Sequence, residues 1–258
     1  MSALWSEAAG PRDAPVVVLV HGSMDRSAGL LRLSRRLDDR FLVIRYDRRG
    51  YGRSIGMPPG FGIVAQVDDL SAVLHRHAPD QPVALAFGHS YGGNVVMAFA
   101  ERHPAQLEAV AVYETPLSWL DWWPGNSAGG TALTVDDPGD AAEAFMRRLA
   151  GDDAWERLPA VKRAERRSEG PAMLGELADL RRRPPWHADR VPVPVLALHG
   201  ERARPHHRRG MRHLADSVAD GRVREVAHAG HAGPHTHPAE VAACVTEFLA
   251  GHGSSDPG

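Results

Sequence analysis

Ser90 lies in the stretch Gly88-His89-Ser90-Tyr91-Gly92-Gly93, between an apolar run ending at Phe87 and a helical pattern beginning near Asn94. A serine with glycine two residues away on each side, where a strand turns sharply into a helix, has a particular chemical use. The turn strains the serine backbone and lifts its Oγ off the sheet edge. Glycines at 88 and 92 let strand and helix approach closely. The N–H groups opening the helix then face any negative charge that develops beside the serine. This is the arrangement of a nucleophilic hydroxyl, which needs a base to take its proton. The bland alternative is a surface turn that happens to contain a serine. Bases are plentiful late in the chain, where eight of the 15 histidines fall between His199 and His237.

So many histidines also raise the question of a metal. His206-His207 and His235-x-His237 look like ligands, but zinc sites need three or four convergent donors with oriented partners behind them. No His-Glu-x-x-His or cysteine pattern occurs, and the histidines fall in three separate places: a strand end, a helix start and a late loop. The spacing predicts no metal and no cofactor.

The elements that must position these residues follow from hydrophobic patterning. Continuous apolar runs occur at Pro15 to Val20, Phe41 to Tyr46, Pro82 to Phe87, Leu107 to Tyr113 and Val193 to Leu198, with a weaker one at Val223 to Ala227. Runs without polar alternation fit strands buried on both faces, as in a parallel sheet. Between them lie helical stripes. Leu30, Leu31, Leu33 and Leu37 share a face, as do Val67, Leu70, Val73 and Leu74. Val241, Val245, Phe248 and Leu249 form a third stripe, with Pro238 near its start and Gly251 just past its end. This alternation predicts an α/β fold with a mostly parallel sheet flanked by helices.

The stretch from Thr115 to Asp189 breaks the rhythm. It holds no convincing buried strand and five of the six tryptophans. It reads as a helical cap inserted into the core. Trp119, Trp122 and Trp123 are candidates to line a binding pocket, or simply to hold the cap onto the core, since an indole ring serves both ends. The expected organisation is therefore a core of residues 1–114 and 190–251, a helical cap at 115–189 and a flexible tail at 252–258.

Composition excludes several classes. With 258 residues, 43% hydrophobic and 24% charged, the chain suits one large soluble domain with an insertion. A net charge of -2 leaves no basic footprint for nucleic acid. No apolar run approaches the ~20 residues that span a bilayer. The start lacks the basic stretch and apolar core of a signal peptide. A single cysteine, Cys244, cannot form an internal disulfide, so a cytoplasmic location is expected. The 29 arginines against one lysine, Lys162, suggest a GC-rich bacterial coding sequence.

From about Pro15 to Leu249 the chain resembles the α/β-hydrolase superfamily. The resemblance rests on His21-Gly22-Ser23 after the first buried run and Tyr46-Asp47-Arg48-Arg49-Gly50-Tyr51-Gly52 after the second. It also rests on the turn at Ser90 and on Gly230-His231 ahead of a closing helix. It implies the α/β-hydrolase fold with a cap, Ser90 as nucleophile and His231 as base. His228, His235 and His237 are rivals for the base; the latter two read as surface or cap positions. The backbone N–H groups of Tyr91 and Ser23, or less readily Met24, would bind the oxyanion. His21 would more often prop that loop than touch substrate. The orienting acid normally stands three residues past His199-Gly200, where this chain has Ala203. Glu114, at the preceding strand end, and Glu201 are the candidates, and a site without an acid is the third option. The resemblance implies a serine hydrolase cleaving an ester, thioester or related bond of a small, largely apolar molecule. A non-hydrolytic enzyme on the same fold and a non-catalytic ligand-binding module are the alternatives. Substrate identity and oligomeric state are not written in these motifs.

Overall fold

Each apolar run becomes a strand of one sheet in the computed structural model, which describes residues 4–251. The strands are β1 (Ser6–Ala9), β2 (Val16–Val20), β3 (Leu42–Tyr46), β4 (Val83–His89), β5 (Val110–Tyr113), β6 (Val195–Gly200) and β7 (Gly221–Val226). Their spatial order is β1-β3-β2-β4-β5-β6-β7, with β2 to β7 parallel and β1 antiparallel at one edge. Every residue of β2 to β6 is buried. That explains their uninterrupted apolar composition, because helices cover both faces.

On one face pack α2 (Ile63–His77), α3 (Tyr91–Arg102) and α9 (Pro205–Ser217), through Val67, Leu70, Val95, Phe99 and Met211 among others. On the other pack α1 (Leu31–Ser34) and α11 (Pro238–Ala250), through Leu33, Val241, Val245 and Phe248. Helix α2 ends where Ala78 and Pro79 interrupt it. Strand β1 has no counterpart in the sequence reading. Its Ser-Glu-Ala-Ala composition gives no apolar pattern and its residues are only partly buried. Its place comes from pairing with β3, Ser6 opposite Tyr46.

Between β5 and β6 the chain leaves the sheet. It forms α4 (Ala128–Ala132), α5 (Pro138–Ala150), α6 (Asp152–Glu156), α7 (Ala160–Ser168) and α8 (Gly170–Arg182). Helices α4, α5 and α8 share an apolar cluster of their own, including Ala132, Ala141, Phe145, Met173 and Leu177. It reaches into the core by taking in Met24 and Tyr51. The predicted tail at 252–258 lies outside the described residues.

Candidate active site

The carboxyl ends of β2, β4, β5 and β6 supply the site. At the end of β4, Ser90 adopts φ +52°, a left-handed backbone that non-glycine residues rarely hold. Its N–H donates to Tyr113 O at 2.8 Å, which pins the turn to β5. The flanking glycines are sterically required. A Cβ on Gly88 would come within 2.4 Å of Gly92 O, and one on Gly92 within 2.2 Å of Val20 O. Met24 and Glu114 also carry positive φ, +58° and +47°, so three of the four non-glycine residues so strained sit at strand ends around one site.

Glu114 is completely buried. Its Oε2 accepts from His231 Nδ1 at 2.8 Å and its Oε1 from the Gly200 N–H at 3.0 Å. With Nδ1 bound to the carboxylate, the other ring nitrogen of His231 is left for the cavity. The His231 loop is held from two sides. His89 Nε2–H donates to His231 O at 2.9 Å, and Tyr113 OH donates to Gly230 O at 2.8 Å. His207 lies against His231 with ring centroids 4.8 Å apart, and His206 packs on His207 at 4.5 Å. Burial, reinforced by His231 and His206, pushes the pKa of His207 well below the usual histidine value. The ring beside His231 is therefore an uncharged one.

Ser90 and His231 line a cavity of about 230 Å³ together with Ser23 and Tyr91. Among the described residues no hydrogen bond yet joins Ser90 to His231; such bonds commonly tighten only when substrate binds. The far wall comes from the helical insertion and the segment leading into it: Trp123, Phe145, Leu149 and Leu177. Arg148, Arg202 and Arg204 also line the cavity, and among the described residues none of them makes an ion pair. The sequence reading missed these arginines, which do not stand out among 29.

The rival assignments separate cleanly. Glu201 turns away from His231, its Oε2 accepting from the His228 N–H at 2.6 Å on the surface. Ala203 is buried. His237 bonds its neighbour Thr236. His235 departs from the expected surface position, lying part-buried beside Asp25 and His89. Short helix α10 (Gly233–Thr236) folds it back under the loop.

His21 is fully buried and does not line the cavity. Its Nδ1–H donates to Gly22 O at 2.8 Å, and its Nε2 accepts from the Arg48 N–H at 2.9 Å. Burial, and then the Arg48 charge, lower its pKa to about 4. It is a neutral strut for the loop carrying Ser23. Met24 also stays off the cavity wall; its carbonyl accepts from Arg166 at 2.9 Å and its side chain joins the insertion's apolar cluster. Two of the three expected pocket tryptophans are core packing instead. Trp119 meets Trp186 edge-on at 5.3 Å. Trp122 is wedged between Trp123 and His213 beneath the Arg209 guanidinium. An indole satisfies a core and a pocket equally well, so composition could not separate them.

The insertion is anchored by Glu176 of α8, which has no exposed surface. It accepts from Ser23 Oγ at 2.7 Å, Tyr51 OH at 2.8 Å and Gln66 Nε2 at 3.2 Å, and it pairs with the buried Arg48.

A mostly parallel sheet, a serine on a strained strand-to-helix turn and a histidine bonded to a buried carboxylate describe an α/β-hydrolase framework. The alpha/beta hydrolase family matches residues 17–244, and the chain belongs to that family. It is accordingly a hydrolase. It is similar to a pimeloyl-(acyl-carrier protein) methyl ester esterase from Chromobacterium violaceum, 29% identical over 250 residues, covering 91% of this chain and 94% of that protein. A bifunctional esterase/perhydrolase from Acinetobacter calcoaceticus is 37% identical over 107 residues. That match covers 40% of this chain and 37% of the relative, so the chain spans little more than a third of that relative's length. Among solved structures, the enol-lactonase from Burkholderia xenovorans LB400 superposes with a TM-score of 0.73 at 26% identity, covering 96% of each chain. Among the described residues no helix is long and apolar enough to cross a membrane.

Proposed function

We propose that the chain hydrolyses a small carboxylic ester, or a related acyl bond, through an acyl-enzyme on Ser90. Ser90 Oγ attacks the carbonyl carbon while His231 takes the hydroxyl proton. The Ser23 and Tyr91 N–H groups hold the resulting oxyanion. His231 then returns the proton to the leaving alcohol, and water repeats the sequence to release the acid. Glu114 fixes the imidazole tautomer and offsets the charge of the imidazolium. Each oxyanion donor contributes roughly 3 kcal/mol by comparison with other acyl-transfer sites.

The observation that carries this reading is the 2.8 Å bond from His231 to the buried Glu114, on a cavity shared with Ser90. It supplies the acid whose absence at Ala203 had favoured a non-hydrolytic or non-catalytic role. The insertion at 115–189 serves as the cap, placing an apolar group of the substrate against Trp123, Phe145 and Leu177. Arg148, Arg202 and Arg204 give the same cavity a positive character, which suits an ester with an anionic end. With Cys244 as its one cysteine, the chain fits a reducing compartment, and we place it in the cytoplasm. A fluorophosphonate probe is expected to label the wild type once per chain and to leave Ser90→Ala unlabelled. An unlabelled wild type, or equal labelling of both, would sink the proposal.

A further inference from the structure

Beneath the serine turn three polar side chains converge, Asp25, His89 and His235. Asp25 Oδ2 and His235 Nε2 form an ion pair at 3.2 Å, and the buried His89 Nδ1 beside them has no hydrogen-bond partner among the described residues. They come from three separate segments, the turn after Ser23, the end of β4 and α10, yet one ligand atom of each lies within 4.8 Å of the others. An unpartnered buried nitrogen is costly and rare, and one that faces an ion pair at this range calls for a partner shared with it.

The donor chemistry says what that partner is. His89 Nε2 is bonded to His231 O at 2.9 Å. A carbonyl only accepts, so Nε2 carries the ring proton and Nδ1 presents a bare lone pair to the cluster. A histidine whose other N–H is tied to a backbone carbonyl is the usual arrangement of a metal ligand. Two imidazoles and one carboxylate suit divalent first-row transition ions and zinc. Ligand bonds of roughly 2.0–2.1 Å in a tetrahedral site put donor atoms about 3.3 Å apart. Asp25 and His235 already have that spacing, and His89 has to close by at most about 1.5 Å.

We propose that Asp25, His89 and His235 bind a divalent transition-metal ion that clamps these three segments around the site. Asp25 follows Ser23 and Met24, His89 precedes Ser90, and His235 lies four residues beyond His231. None of the three lines the substrate cavity, so the ion stays clear of the Ser90 hydroxyl and acts as a cross-link, not as a Lewis acid. The spacing of histidines along the chain argued against a metal only because it could not show this convergence. A second convergent trio, Glu114, His207 and His231, offers a rival locus. There His231 Nδ1 is already committed to Glu114.

The test uses the full chain, stripped with a chelator and titrated with Zn²⁺ by calorimetry and with Co²⁺ by visible absorption. The wild type is expected to bind one ion, to melt at a higher temperature with it, and to give the intense visible bands of Co²⁺ held by fewer than six ligands. Asp25→Asn and His235→Gln should each weaken Zn²⁺ at least ~100-fold, the upper end of what even a supporting partner contributes. His207→Gln should bind as the wild type does. The proposal is overturned if the wild type takes up no stoichiometric Zn²⁺, if Asp25→Asn and His235→Gln bind it unchanged, or if His207→Gln abolishes binding. Should a ligand variant fail to fold, the wild-type Co²⁺ spectrum and the His207→Gln titration still decide.

Discussion

Two completely buried carboxylates stand on opposite sides of Ser90, and they are built for different work. Glu176 reaches in from the insertion and is saturated: Arg48, Ser23, Tyr51 and Gln66 all donate to it. Glu114 sits at a strand end of the core with two donors only, the Gly200 N–H and His231. The first is matched by a permanent charge and cannot change state without leaving Arg48 unpaired. The second faces the His231 ring, and its backbone is held at φ +47°. A carboxylate with every lone pair engaged holds pieces together; one with a titratable partner and a cavity beyond it can take part in proton transfer.

The contrast can be broken most forcefully at Glu114. Glu114→Gln keeps an acceptor for Gly200 but turns a donor toward His231 Nδ1, which imposes the wrong tautomer. Turnover of a p-nitrophenyl ester should fall by up to roughly 10⁴-fold, the loss seen when the orienting acid of a serine–histidine–acid site is neutralised. The melting temperature should hardly move. A variant retaining most of its turnover would remove Glu114 from the chemistry.

Glu176→Ala should do the converse. Stripping one partner from a buried ion pair costs about 3–5 kcal/mol in urea unfolding, because the Arg48 charge is left buried. The double change Arg48→Met with Glu176→Leu should recover much of that, since apolar replacement of a whole buried pair is often neutral. If the single and double variants were equally unstable, the penalty would not lie in the orphaned charge.

The Arg48 side should also carry the protein's acid sensitivity. Histidine titrates near 6.5 when unfolded, and folded His21 near 4. Between those values the unfolded chain binds more protons than the folded one. Stability is therefore full above pH 6.5 and is lost as pH falls through this window, by about 3 kcal/mol for His21 alone. Burial depresses His89 and His207 in the same direction. Urea midpoints measured from pH 7 to pH 4 should fall, with a shallower slope for His21→Gln. A flat profile would mean that His21 is not neutral in the fold.

The smallest effect belongs to the exposed rim. Arg204→Gln should raise KM for an ester bearing a carboxylate by no more than about fivefold, as exposed charge pairs are worth under ~1 kcal/mol. KM for a neutral ester of the same size should not change. Equal effects on both substrates would show that Arg204 shapes the cavity without sensing charge.

Much of the framework is legible in the chain, because burial on both faces of a sheet leaves uninterrupted apolar runs. The exception is β1, whose place depends on the edge it pairs with. The turn at Ser90 is readable because its strain demands glycine at 88 and 92. For the orienting acid the chain offers Glu114, Glu201 or none, and no further choice can be read from it. What brings Glu114 to His231 is the parallel register of Tyr113 against Leu198 and the reach of the Gly200 N–H, and neither is a local property. His206, His207 and His235 are misread along the chain for the same reason: their company is assembled by α9 and α10 folding onto the site. Of the three tryptophans only Trp123 lines the Ser90 cavity, while Trp119 and Trp122 pack part-buried against the core, a choice that composition leaves open.

The residence of Glu114 on β5 has a consequence for how this enzyme can diversify. With Glu114 as the proposed acid, the segment after β6, running from Glu201 to Arg204, is released from the duty of carrying one. Two of its residues, Arg202 and Arg204, face the cavity instead. Substrate preference and proton handling are thereby encoded in different stretches of sequence. A library randomised at 202 and 204 should retune selectivity while leaving the hydrolytic apparatus whole, which makes that loop the natural starting point for redesign.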